Sequence, residues 1–189
     1  MAAGRGAPLA QKGPSKPAAD RPAKAVETAE ERERKQKEKQ AENEKKRAEW
    51  IEKTVRFGIN KDRREAINMI LGIRDESLKN SLGDLLIDVI RNETDPEVKA
   101  RALTVAGDLK NSRAAPAMME ALGDDSEDVQ IAAVNSLKNL RHEPARQALA
   151  EKLKARDLSA DSNLTESLIT AMGEFGAEEL AGFAKTAIK

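Results

Sequence analysis

DPEVKARALTVAGDL, residues 95–109, overlays SEDVQIAAVNSLKNL, residues 126–140, after a shift of 31 positions. A shift of 35 carries the pattern on, setting Val129 on Leu164, Ala133 on Leu168, Val134 on Ile169, Leu137 on Met172 and Leu140 on Phe175. A shift of 36 in the other direction sets Ala102 on Ala66, Leu103 on Ile67, Ala106 on Ile70 and Leu109 on Ile73. The apolar positions, as in Val98, Ala102, Val105, Ala106 and Leu109, have the spacing of one face of an α-helix. Between these four template helices lies a second family. Leu78, Leu82, Leu85 and Leu86 correspond to Ala114, Met118, Ala121 and Leu122, then to Ala145, Leu149, Lys152 and Leu153, and last to Leu180, Ala184, Ala187 and Ile188. The segment around Trp50, Ile51 and Val55 fits the second family once more, as a leading half-repeat.

A period of 31 to 36 residues built from two short helices predicts an all-α solenoid, because one helical pair cannot bury its apolar faces without stacked neighbours. The punctuation agrees with it. Asp95 can cap a helix whose first position is Pro96, Ser126 can cap the next with Glu127 and Asp128 in its first turn, and Gly123 and Gly176 stand where helices should stop. Three Phe, one Trp and no Tyr leave Leu, Ile, Val, Ala and Met to build the core, which suits helices.

Outward from the repeats the composition changes. Residues 1–26 contain Pro8, Pro14, Pro17 and Pro22, and carry five basic groups against Asp20, a net charge of +4. They are expected to be a disordered basic tail. Residues 27–49 hold eight charges of each sign, with Glu ahead of a base by four at Glu30/Arg34, Glu31/Lys35, Glu33/Lys37 and Glu42/Lys46. Such pairs support an isolated helix by about 0.2–0.5 kcal/mol each, so this stretch is expected to be a charged, partly helical spacer. No apolar seam for a coiled coil runs through it. Residues 50–189 form the predicted repeat domain, with 20 basic and 24 acidic groups.

DPEVKARALTVAGDL followed by NSRAAPAMMEAL resembles the HEAT repeat, and in particular the HEAT-like repeats also found in phycobilin lyases, over residues 48–189. The resemblance implies a right-handed α-α superhelix whose template helices line the concave side. Many HEAT repeats place a base just after the Val, forming a ladder with an acidic residue of the turn. Here that place holds Arg63, Lys99, Gln130 and Thr165, so half of the ladder can be ionic.

The chemistry that the residues permit is limited. With no cysteine there is no disulfide, thiolate metal site or cysteine nucleophile. The only histidine, His142, precedes Glu143, and the pair resembles the repeated His-Glu ligands of HEAT-like deoxyhypusine hydroxylases. The equivalent pair one repeat earlier, Asn111-Ser112, supplies no second His-Glu, and one imidazole with one carboxylate cannot complete a metal shell. No Gly-rich phosphate loop occurs, and Glu127 and Asp128 fit a helix start, where carboxylates favour the dipole. No catalytic residue, cofactor or metal is therefore expected.

The net charge of zero argues against the uniformly basic surface that non-specific nucleic-acid binding uses. No apolar run is long enough to span a bilayer. If Met1 is the native start the expected compartment is the cytoplasm, and the periplasm if a signal has been removed.

Opposite the apolar stripe the template helices present Glu97, Arg101, Thr104 and Asp108, then Asp128, Ala132, Asn135 and Asn139, then Asn163, Ser167, Thr170 and Glu174. HEAT-like DNA glycosylases grip a duplex on the corresponding face with basic and aromatic side chains. This one is small, polar and mixed in charge. The reading is a non-enzymatic scaffold that binds a protein partner through Arg101, Thr104, Asp108, Asn135, Asn139, Thr170 and Glu174, with Trp50 and Phe183 as aromatic anchors near the ends of the stack. Two alternatives stand beside it: a relative or subunit of a HEAT-like lyase or hydroxylase, and a nucleic-acid or anionic-surface tether acting through the basic tail.

Overall fold

The structure is a computed structural model and describes residues 28–156 and 162–176. Eight α-helices follow one another, with no strand among the described residues: α1 (Ala29–Phe57), α2 (Asn60–Met69), α3 (Glu76–Asn92), α4 (Pro96–Asp108), α5 (Ala115–Glu120), α6 (Glu127–Leu140), α7 (Ala145–Lys154) and α8 (Asn163–Glu174). The Val98 N–H donates to the Asp95 carboxylate at 2.9 Å with Pro96 in the first turn, so α4 begins where its punctuation placed it. The Ser126 hydroxyl, by contrast, makes no capping bond on α6. The Asp124 carboxylate instead accepts the Ser126 N–H at 3.0 Å, and the Gln130 amide donates to the Asp124 carbonyl at 2.5 Å.

The helices pair as α1/α2, α3/α4, α5/α6 and α7/α8, and the pairs stack. The template helices α2, α4, α6 and α8 form one continuous layer, most intimate between α4 and α6. The odd-numbered helices cover the other side. Val98, Ala102 and Ala106 of α4, Val129, Ala133 and Leu137 of α6, and Leu164, Leu168 and Ala171 of α8 are all fully buried, so the shared stripe is consumed between helices. Leu86 and Leu149 seal it from the covering layer. Burying one such side chain contributes roughly 1.5–3 kcal/mol, several times the helix propensity of any single residue. Packing between repeats therefore holds the stack.

Two features set the spacing of the template layer. At Gly107 a Cβ would lie 2.9 Å from the Ser136 Cα, and the buried Ser136 hydroxyl donates to the Leu103 carbonyl at 2.8 Å. Glycine and serine thus let α4 and α6 approach closely. Helices α4, α6 and α8 then stop on a left-handed residue at the same place in the repeat, Lys110 (φ 54°), Arg141 (φ 52°) and Gly176 (φ 64°). In the first two the following N–H closes the turn, Asn111 to the Ala106 carbonyl and His142 to the Leu137 carbonyl, both at 3.1 Å. This is the Schellman arrangement.

Helix α1 runs unbroken through the boundary read at Trp50. Thr28 and Glu31 close a capping box at its start. Of the expected spacer pairs, Glu33/Lys37 and Glu42/Lys46 form at 2.7 Å, whereas Arg34 turns forward to Glu38. Contact with the stack begins before Trp50: Ala48 is buried, and the Glu44 carboxylate accepts the N–H groups of Arg74 and Asp75 at the start of α3. A sequence boundary drawn from large apolar residues overlooked these, because a glutamate and an alanine carry the contact. Residues 1–26, the last second-family segment at Leu180–Ile188, and Phe183 lie outside the described residues.

Candidate protein-recognition face

The polar residues opposite the apolar stripe come together on the outer surface of the template layer, in rows that cross α4, α6 and α8. Arg101, Asp108, Thr170 and Glu174 are exposed, and Thr104, Asn135 and Asn139 half-buried. The rows differ in how far neighbouring repeats have already used them. At the start of the helices Arg64 pairs with Glu97, and Glu127 accepts from the Ser162 hydroxyl at 2.7 Å and the Leu164 N–H at 3.3 Å. At the far end the Asn139 amide donates to Asp108 at 3.4 Å, the Lys110 ammonium donates to the Asn139 carbonyl, and Lys138 faces Glu174 at 3.4 Å.

The middle of the face is different. Arg101, Asn135 and Thr170 make no hydrogen bond or ion pair among the described residues. Thr104 donates its hydroxyl to the Ala100 carbonyl at 2.9 Å, one turn back in its own helix. Lys110 and Lys138 escaped the sequence reading, although their place beside Asn139 and Glu174 in successive units was a signal for them. Trp50 belongs to α1, at 49% exposure, and is far along the chain from these rows.

The ladder occupies the edge where helices begin. Arg63 pairs with Glu93 and donates to the Val55 carbonyl at 2.8 Å, and Lys99 pairs with Asp124 at 2.8 Å. Glu93 and Asp124 occupy equivalent places one repeat apart. Burial raises the pKa of each, but the N–H of Asp95 and the guanidinium of Arg63 outweigh it at Glu93, and the ammonium of Lys99 and the N–H of Ser126 do so at Asp124. Both carboxyls are held below their ordinary range. The third rung is the neutral Gln130, and at the fourth the Thr165 hydroxyl is buried with no hydrogen-bond partner among the described residues. Two ionic rungs are what the four side-chain types allow.

A groove of about 500 Å³ between the ends of α1 and α3 is lined by Arg56, Phe57, Leu85, Asp88 and Glu93 among others. Glu93 is committed to Arg63 there and so is a poor proton acceptor. His142 sits half-buried in the turn after α6, and no cluster of metal-binding side chains occurs among the described residues. No helix among them is long and apolar enough to cross a membrane.

Residues 83–173 match the family model for HEAT repeats. The stack is a HEAT-repeat solenoid. HEAT repeats are commonly protein-interaction scaffolds and typically non-enzymatic, and the matched stretch spans α4, α5, α6 and α7 with most of α3 and α8. No curated protein matches the chain.

Proposed function

We propose that this HEAT-repeat chain is a non-enzymatic scaffold that takes a protein partner across the polar rows of α4, α6 and α8. The observation that carries the reading is the contrast within those rows. Their ends are engaged by neighbouring repeats, while the side chains of Arg101, Asn135 and Thr170 in the middle keep hydrogen-bonding capacity that none of the described residues uses. Stacking sets Thr104, Asn135 and Thr170 at one height in successive repeats, with Arg101 one turn nearer the helix start, and such a strip suits an extended or helical peptide whose recognition is spread over several units. The strip offers amide, hydroxyl and guanidinium groups and no large apolar side chain, so polar groups of the partner supply the specificity.

An Arg101→Glu/Asn135→Lys variant tests this. Neither residue contributes to the stack, so the thermal melt should stay within about 0.5 kcal/mol of the parent in stability, and capture of the partner from the native cell should fall at least tenfold. Undiminished capture of every native partner by the folded variant would remove this face from consideration.

A further inference from the structure

Helix α1 carries a second surface, one that the repeats neither use nor explain. Its inner face, Glu44, Ala48, Ile51 and Val55, meets the solenoid. Turning about 180° around the helix at 3.6 residues per turn gives Arg32, Lys35, Lys39, Asn43, Lys46, Trp50, Lys53 and Phe57, separated by steps of three or four residues. These fall in an arc of about 80° that extends roughly 38 Å along the axis at 1.5 Å per residue. No carboxylate lies within that arc. The acidic residues of the helix, including Glu30, Glu31, Glu38, Glu42 and Glu49, fall on its flanks and opposite side. Of the eight bases in residues 27–49, Arg32, Lys35, Lys39 and Lys46 lie in the arc and the other four lie outside it, together with every acidic residue of the helix. All the stripe's side chains are exposed, Trp50 at 49% and Phe57 at 80%.

We propose that this stripe is a binding surface for single-stranded nucleic acid, with the cations following phosphates and Trp50 and Phe57 stacking on bases. Charge complementarity selects a polyanion, and the composition of the stripe selects its kind. A partner helix would need an apolar seam, and the stripe has two rings and no aliphatic side chain. An amphipathic membrane helix buries a broad apolar face, and the first half of this stripe offers only Arg32, Lys35, Lys39 and Asn43. A helix sunk in a duplex groove meets phosphates on both flanks, and one flank of this helix is lined by Glu31, Glu38, Glu42 and Glu49. A single strand lying along one side satisfies all three constraints, since exposed cations interleaved with exposed aromatics engage backbone and bases without sequence readout. Lys39 and Lys53 make no ion pair among the described residues, while Lys46 is shared with Glu42.

Trp50 is the only tryptophan, so the full-length chain reports on its own stripe. Titration with oligouridylate of twenty nucleotides should quench its fluorescence, and affinity should fall with salt at a log–log slope of about −0.7 per phosphate neutralised. Lys39→Gln/Lys53→Gln should reduce that slope by about 1.4. Phe57→Ala, and Trp50→Ala followed through a labelled oligonucleotide, should each weaken binding about 5- to 150-fold with helical circular dichroism unchanged. Binding without quenching and indifferent to the lysine pair would place the nucleic acid on another part of the chain and overturn the proposal. So would no binding at low salt, or equal quenching by polyglutamate or by phosphatidylserine vesicles.

Discussion

Arg141 adopts φ 52°, a conformation that costs a side-chain-bearing residue about 1–2 kcal/mol. Its side chain is exposed and makes no hydrogen bond or ion pair among the described residues. Replacing it with glycine, which stands at the equivalent Gly176, should therefore stabilise the fold by about 0.5–1 kcal/mol, less than the full strain because glycine also loses more entropy on folding. A lower midpoint in urea for Arg141→Gly would mean that the turn is held some other way. Gly107→Ala should do the opposite. Alanine is the better helix former by about 1 kcal/mol, yet its Cβ would meet the Ser136 Cα at 2.9 Å, and the expected cost is about 1–3 kcal/mol in the same denaturation measurement. Thr165→Val removes a buried hydroxyl that has no hydrogen-bond partner among the described residues and should raise stability by about 1 kcal/mol. Thr165 was marked by its place in the ladder, but Arg141 and Gly107 did not stand out in the sequence. Left-handed turns announce themselves through glycine or asparagine, and Lys110 and Arg141 are neither; a close approach depends on two helices at once, and Gly107 reveals it only beside Ser136.

At the scale of an element, α1 shows where sequence patterning loses sight of packing. The apolar period begins at Trp50, which by itself calls for a domain starting at residue 48, yet Glu44 binds two N–H groups at the start of α3. Those groups would otherwise depend on solvent. A chain beginning at residue 42 should melt as cooperatively as the full length, whereas one beginning at residue 48 should be less stable by about 1–2 kcal/mol, the scale of a lost helix cap. Equal midpoints for the two truncations would show that the Glu44 contact is dispensable.

The ladder gives its own signature in acid. Glu93 and Asp124 have folded pKa values below their unfolded ones, so they contribute stability that is fully present above the ordinary carboxylate range and disappears as pH falls through the depressed folded values. Urea midpoints measured from pH 6 downward should decline steeply for the parent. A Glu93→Gln/Asp124→Asn variant should start lower and decline less. An unchanged acid limb in that variant would assign the acid sensitivity to other carboxylates.

For the whole molecule the repeat was legible because it is written three ways at once, in the apolar stripe, in the caps and in the shifts that align both helix families. Each buried position such as Ala102, Ala133 or Leu168 is the same solution to the same packing problem. The candidate face was legible only by subtraction, as what remains when the stripe is removed. Subtraction ranks all seven template-layer positions alike, whereas the fold separates them: Asp108, Asn139 and Glu174 tie repeats together, Thr104 bonds its own helix, and Arg101, Asn135 and Thr170 stay available. Apart from the direct Asn139–Asp108 bond, those ties depend on Lys110 and Lys138 reaching across a repeat, a distance that no spacing within one helix encodes.

The scaffold reading meets its most direct test in site-specific photo-crosslinking inside the native cell, with a benzophenone side chain placed singly at Arg101, Asn135 and Thr170, and at the exposed Asp88 and Pro116 on the covering layer. The account predicts one protein partner crosslinked from all three template-layer positions and none from the other two. Crosslinks confined to Asp88 or Pro116, or different species from each of the three, would contradict it.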